Sequence, residues 1–126
     1  MNPPRALVVE NDPQFRRVLL RHLASCYETI EVTTAELALD LVLNGDEFDV
    51  IVCDMGLDGW SGGDLYRRLV RRRDPHASRF VMLSGLDVRA RHPGLAAELG
   101  ERLLEKPIGR EALLSLLATV TARAAA

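Results

Sequence analysis

Five positions in this 126-residue chain carry side chains suited to holding and accepting a phosphoryl group: Glu10 with its neighbour Asn11, Asp54, Ser84 and Lys106. Glu10, Asn11 and Asp54 together offer two carboxylates and an amide. This is a hard, oxygen-rich donor set of the kind magnesium prefers while it keeps several of its waters. Lys106 is the only lysine in a chain whose basic charge is otherwise carried by arginine, and it adds a cation. Ser84 adds a hydroxyl donor. With a metal and the ammonium neutralising phosphoryl oxygens and Ser84 donating to one of them, Asp54 is placed to act as the nucleophile.

Residues so far apart in sequence meet only if the fold delivers them to one edge, and the surrounding stretches predict such a fold. In DVIVCDMGLDGWSG, from Asp49 to Gly62, mostly apolar and β-branched residues run straight into Asp54 and are followed by glycines. That pattern predicts a strand buried on both faces of a parallel sheet, with Asp54 at its carboxyl end. Residues 6–10 (ALVVE) predict a first buried strand, and Asn11-Asp12-Pro13 a turn into a helix that runs to about Ser25 with Pro13 at its first position. The apolar positions of that helix are Phe15, Val18, Leu19, Leu20 and Leu23, with Arg16, Arg17 and Arg21 outside. Thr29 to Thr33 alternates as a strand, Ala35 to Leu43 is helical and closed by Asn44-Gly45, and Asp64 to Arg73 is a third helix. Phe80 to Leu83 is a fourth strand ending at Ser84-Gly85. Residues 87–100 are expected to be helical in part, broken by Pro93-Gly94. Leu103 to Glu105 is a short fifth strand ending at Lys106-Pro107, and Arg110 to about Arg123 is the last helix. Five strand–helix alternations with long crossovers argue for an α/β fold, a doubly wound parallel sheet with helices on both faces. In such sheets ligands bind at the carboxyl edge, where strands one, three, four and five bring Glu10 with Asn11, Asp54, Ser84 and Lys106.

The length suits one domain over residues 1–126, able to bury a core without staples. A net charge of -2 indicates neither a nucleic-acid footprint nor an acidic tail, so no direct nucleic-acid partner is expected. No apolar run reaches the roughly 18 residues of a membrane span and the N-terminus has no signal-peptide pattern, so a cytoplasmic protein without membrane contact is expected. Cys26 and Cys53 lack metal-ligand spacing and read as buried small hydrophobes. His22, His76 and His92 show no ligand spacing either. The arginines at 67, 68, 71, 72 and 73 alternate with Leu65, Leu69 and Val70 as a solvated helix face does, and they suit a helix C-terminus. Trp60 beside Asp54 reads equally as a lid on its loop or as an aromatic facing a partner.

Four motifs together carry a resemblance: LVVEN near the start, IVCDMGLDGWSG, VMLSG and LLEKP, in that order and each closing a predicted strand. On these the chain resembles the receiver domains of two-component response regulators over essentially its whole length. The resemblance implies a five-stranded, flavodoxin-like sheet of order 2-1-3-4-5. It implies phosphoryl transfer from a histidine kinase or histidine phosphotransfer protein to Asp54, followed by a change in the surface offered to a downstream protein partner. Magnesium would be held by the pair Glu10 and Asn11, by Asp54 and by the backbone carbonyl of Gly56, while Ser84 and Lys106 bind the phosphoryl group. It also implies an acceptor with slow autodephosphorylation rather than a turnover enzyme, a monomer or weak dimer, and a cis Lys106–Pro107 bond.

Four departures from the family pattern stand out. Asn11 replaces the usual aspartate, which removes a charge and should weaken metal binding. Asp12 does not obviously compensate, since it reads better as the helix cap. Asp58 replaces a loop proline and leaves the loop looser, with no evident chemical role. Leu103 stands where an aromatic switch residue is usual, so ring rotation is not the readout, and Pro93-Gly94 disturbs the neighbouring helix. These departures motivate an alternative, a degenerate receiver that acts as a phosphorylation-independent interaction module. An aspartate-nucleophile phosphohydrolase would need a general acid two residues after Asp54, where Gly56 stands. A flavodoxin-type flavin binder would need a phosphate-cradling first loop, which here carries Glu10 and Asp12.

Overall fold

In the structure, a computed structural model that describes residues 2–125, the apolar runs become five parallel strands: β1 (Arg5–Val9), β2 (Glu28–Val32), β3 (Val50–Asp54), β4 (Phe80–Ser84) and β5 (Leu103–Glu105). They form one sheet of order β2-β1-β3-β4-β5, as expected. β3 lies at its centre, with Ala6 to Val9 of β1 opposite Val50 to Cys53 on one side and Phe80 to Leu83 of β4 opposite Ile51 to Asp54 on the other.

Side chains alternate across a strand, so β1, β3 and β4 each feed two cores. Ala6, Val8, Val50, Val52, Val81 and Leu83 pack against Leu19 and Leu23 of α1 (Pro13–Leu23) and against Leu113, Leu117 and Val120 of α6 (Arg110–Ala125). Leu7, Val9, Ile51, Cys53, Phe80 and Met82 face the other way. They meet Ala35, Ala38 and Leu39 of α2 (Ala35–Leu43), Leu65 and Leu69 of α3 (Gly62–Arg71), and Leu95 and Leu99 of α5 (Pro93–Leu99). Both faces of the sheet are thus covered, which explains why β1, β3 and β4 read as near-continuous apolar runs.

Local chemistry sets several helix ends. Asp12 caps α1 by accepting the Gln14 N–H at 3.0 Å, with Pro13 at the first position. Thr34 caps α2 through the Leu37 N–H at 3.1 Å, and Gly45 leaves that helix at φ +95°. Ser61 and Asp64 form a reciprocal capping box that starts α3 two residues earlier than the sequence suggested. The 87–100 segment does break where expected. A single turn, α4 (Val88–Arg91), precedes α5, which begins at Pro93, because proline fits a first helical turn better than an interior one.

The structure corrects several expectations. α1 stops at Leu23, β1 and β2 each sit one residue earlier, and Pro75–Arg79 forms a 3-10 turn that periodicity did not reveal. Val18 is 39% exposed, so the buried stripe of α1 is narrower than its apolar content. Cys26 is exposed rather than buried, since the helix ends before it; Cys53 is buried, and burial pushes its thiol well above the usual range. His76 is a structural histidine. Its Nε2 accepts the Phe48 N–H at 3.0 Å, and Nδ1 lies 2.7 Å from Asp74.

Candidate functional site

The carboxyl ends of β1, β3, β4 and β5 meet at one edge, and the backbone there is stitched together. The Met55 N–H donates to the Leu83 carbonyl at 2.8 Å, and the Lys106 N–H to the Ser84 carbonyl at 2.7 Å. Asp54, the last residue of β3, is 6% exposed. Both of its oxygens are held: Oδ1 accepts the Gly56 N–H at 3.2 Å, and Oδ2 accepts Lys106 Nζ at 3.1 Å. The Lys106–Pro107 peptide is cis, as expected, and the lysine side chain lies along the site with its ammonium between Asp54, Glu10 at 3.9 Å and the face of Phe15 at 4.4 Å from the ring centroid.

Glu10 follows β1 directly and is fully buried. Its Oε2 accepts the Asn11 N–H at 3.2 Å, and the Asp54 carboxylate is its near neighbour. Oε1 has no hydrogen-bond partner. Burial first, and then the neighbouring Asp54, push the Glu10 pKa up to about 8 in spite of the opposing pull of Lys106. A buried, half-satisfied carboxyl held against a second carboxylate is an arrangement that a divalent cation would relieve. Among the described residues no three His, Cys, Asp or Glu side chains converge as a metal cage. A cation at this edge would therefore meet two carboxylates and would have to complete its shell with neutral oxygens and water.

Ser84 ends β4 and is 1% exposed; its hydroxyl reaches the Leu104 carbonyl only at 3.5 Å, the outer limit of a hydrogen bond. It lines a cavity of about 400 Å³ together with Asp54, Gly56 and Lys106. Glu10, Asp54, Ser84 and Lys106 thus gather as anticipated, and the Gly56 N–H bonds the Asp54 carboxylate. Arg91 and His92, from the end of α4 and the residue after it, also line this cavity; neither was singled out from sequence for this site.

Asn11 lies beside the site with a partner that sequence reasoning did not assign: its Nδ2 donates to Asp58 Oδ2 at 3.2 Å. A long-range contact between two loop side chains leaves no periodic signal, although the joint departure of both positions from the family pattern was visible. Trp60 folds back onto α3, with Arg68 3.8 Å above its ring, which makes it a cover on its own loop. Arg67, Arg71, Arg72 and Arg73 are exposed. Leu103 is buried, and its carbonyl accepts Arg89 Nη2 at 2.9 Å.

The family model of the response regulator receiver domain matches residues 6–118. The chain is similar to the receiver domain of the Francisella response regulator 1452 (21% identity, TM-score 0.82, covering 95% of this chain and 98% of that one). It is likewise similar to a response regulator receiver domain protein from Clostridium thermocellum (20% identity, TM-score 0.82, 95% of each chain). A sensor protein from Polaromonas sp. JS666 shares 27% identity at a TM-score of 0.78 over 96% of this chain and 98% of that one. No curated protein matches the chain by sequence.

Proposed function

Since this chain belongs to the response regulator receiver domain family of two-component signalling, we propose that it accepts a phosphoryl group on Asp54 from a histidine kinase or histidine phosphotransfer protein and then alters the surface it offers a downstream protein partner. The observation that carries this reading is the pairing of Asp54 Oδ2 with Lys106 Nζ at 3.1 Å, at the edge where Ser84 ends the adjacent strand. An Asp54 carboxylate oxygen attacks phosphorus, the bond from phosphorus to the donor's imidazole nitrogen breaks, and the imidazole leaves with that electron pair and takes a proton from solvent. Because both Asp54 oxygens are held, the carboxylate is oriented before the donor arrives, which removes rotational freedom from the transfer step. Lys106 offsets charge on the phosphoryl oxygens, acting as a cation and not as a base, and the loosely held Ser84 hydroxyl is free to donate to one of them.

Magnesium, when bound, supplies further charge neutralisation on the phosphoryl oxygens. Glu10, Asn11, Asp54 and the Gly56 carbonyl are the groups that would hold it. On this reading the chain is a phosphoryl acceptor with slow self-hydrolysis, serving as a signal carrier rather than as a turnover enzyme. A cytoplasmic location fits a phosphodonor kinase partner. Among the described residues no helix is long and apolar enough to cross a membrane.

Asn11 and Leu103 favour a second reading, a receiver fold kept as a phosphorylation-independent interaction module. One experiment separates the two. Intact mass measured after incubation with a small phosphodonor and magnesium should show one added phosphoryl group, absent in Asp54→Ala. No adduct on the wild-type protein would leave the interaction module as the better account.

A further inference from the structure

A side-chain amide has a nitrogen end and an oxygen end, and only the oxygen can face a cation favourably. A half-turn about the last bond of Asn11 exchanges the two. Here the choice is made by Asp58, which carries only acceptor oxygens when ionised: Nδ2 donates to Asp58 Oδ2 at 3.2 Å, leaving Oδ1 as the remaining polar atom of the amide. Asp58 belongs to the loop that follows Asp54, and Asn11 follows the buried Glu10, whose Oε1 has no hydrogen-bond partner. The hydrogen bond therefore joins the two loops that flank the carboxylate pair.

We propose that Asp58 is a positioning residue for the metal site: by accepting the Nδ2 hydrogen bond of Asn11, it fixes the amide with its carbonyl oxygen as the atom available to a divalent cation. This rests on the reading that the site takes magnesium. An aspartate at position 11 would need no such partner, because its two oxygens are equivalent, and it would be repelled by a carboxylate at the distance of Asp58. Asn11 and Asp58 are thus complementary, and the carboxylate at position 58 gains the chemical role that its sequence position alone did not suggest. Groups that orient a metal ligand typically change affinity by about 10- to 100-fold when removed, and an exposed carboxylate belongs at the lower end of that range.

The test is calorimetric titration of metal-free protein with magnesium at fixed pH and ionic strength. It compares wild type, Asp58→Ala and Asp58→Asn, and the same two changes in an Asn11→Asp background. Asp58 is exposed, so neither replacement opens a cavity. Asp58→Ala should weaken binding about tenfold, whereas Asp58→Asn, which keeps an acceptor oxygen, should stay close to wild type. In the Asn11→Asp background neither change should weaken binding, since no amide then needs orienting and a repulsive neighbour is removed. Side-chain amide resonances of Asn11 in the metal-free protein should shift in Asp58→Ala and persist in Asp58→Asn. Equal losses for both replacements in both backgrounds would mean that Asp58 acts through its charge alone and would overturn the proposal, as would undiminished binding in Asp58→Ala. If neither the wild type nor Asn11→Asp binds magnesium, the metal-site reading itself falls.

Discussion

The ammonium of Lys106 stands over the face of Phe15, 4.4 Å from the ring centroid, while the same group bonds Asp54 Oδ2 at 3.1 Å. Phe15 is half-buried in the first turn of α1, so a residue of the helix that follows β1 helps to hold the lysine that follows β5. A cation over an aromatic face contributes about 0.5–1 kcal/mol at a partly exposed site. A double-mutant cycle of Phe15→Leu and Lys106→Met, read by chemical denaturation, should return a coupling of about that size. Strict additivity would show that the ring only fills space.

Glu10 makes the metal-free protein pH-sensitive. Its carboxyl is raised from 4.5 to about 8 by burial and then by Asp54, so the folded state keeps a proton that the unfolded chain has already lost. Stability from this group is fully present below about pH 4.5, falls as pH rises, and is lost once pH passes about 8. Glu10→Gln should therefore gain stability over wild type at pH 8, on the order of a few kcal/mol, and much less at pH 5. Denaturation with a chelator present at the two pH values checks this, and an equal effect at both would refute it.

Gly62 is required by a close approach. A Cβ at this position would strike the Asp54 carbonyl oxygen and crowd Met55, both backbone groups that cannot swing away. Gly62→Ala should destabilise by about 1–3 kcal/mol and displace the start of α3, as overpacking against backbone does. Gly94→Ala, where an added Cβ meets nothing within 4 Å, is the control. Thermal melts of the two variants should differ clearly.

His76 serves the fold and not the site. Replacing it with leucine leaves the buried Phe48 N–H without its acceptor and should cost about 1–3 kcal/mol while phosphoryl acceptance, measured by mass, is retained. His76→Asn offers a shorter acceptor and should recover part of the loss.

The parallel sheet and the meeting of Glu10, Asp54, Ser84 and Lys106 were legible in the residues for one physical reason, whereas the strand order followed only from the family resemblance. Fully buried parallel strands must be apolar throughout, so a polar residue that ends such a run announces the edge. Asp12 as a cap was legible through its local partner, the Gln14 N–H two residues on. What escaped depends on side chains that meet across large sequence separations: Asn11 with Asp58, Lys106 with Phe15, Arg89 with the Leu103 carbonyl, His76 with Phe48. None of these leaves a period of 2 or 3.6. Cys26 was misplaced because helix propensity does not mark where tertiary packing ends a helix, and α1 stops at Leu23.

The central place of β3 has a consequence in time. All five of its residues are buried, and it is hydrogen-bonded to β1 on one side and β4 on the other. Its amides can exchange with solvent deuterium only when the sheet itself opens, whereas those of Gly85 to Asp87, exposed beyond β4, need only local fluctuation. Hydrogen exchange should therefore place Asp54 on one of the slowest-exchanging strands, beside a segment that exchanges faster.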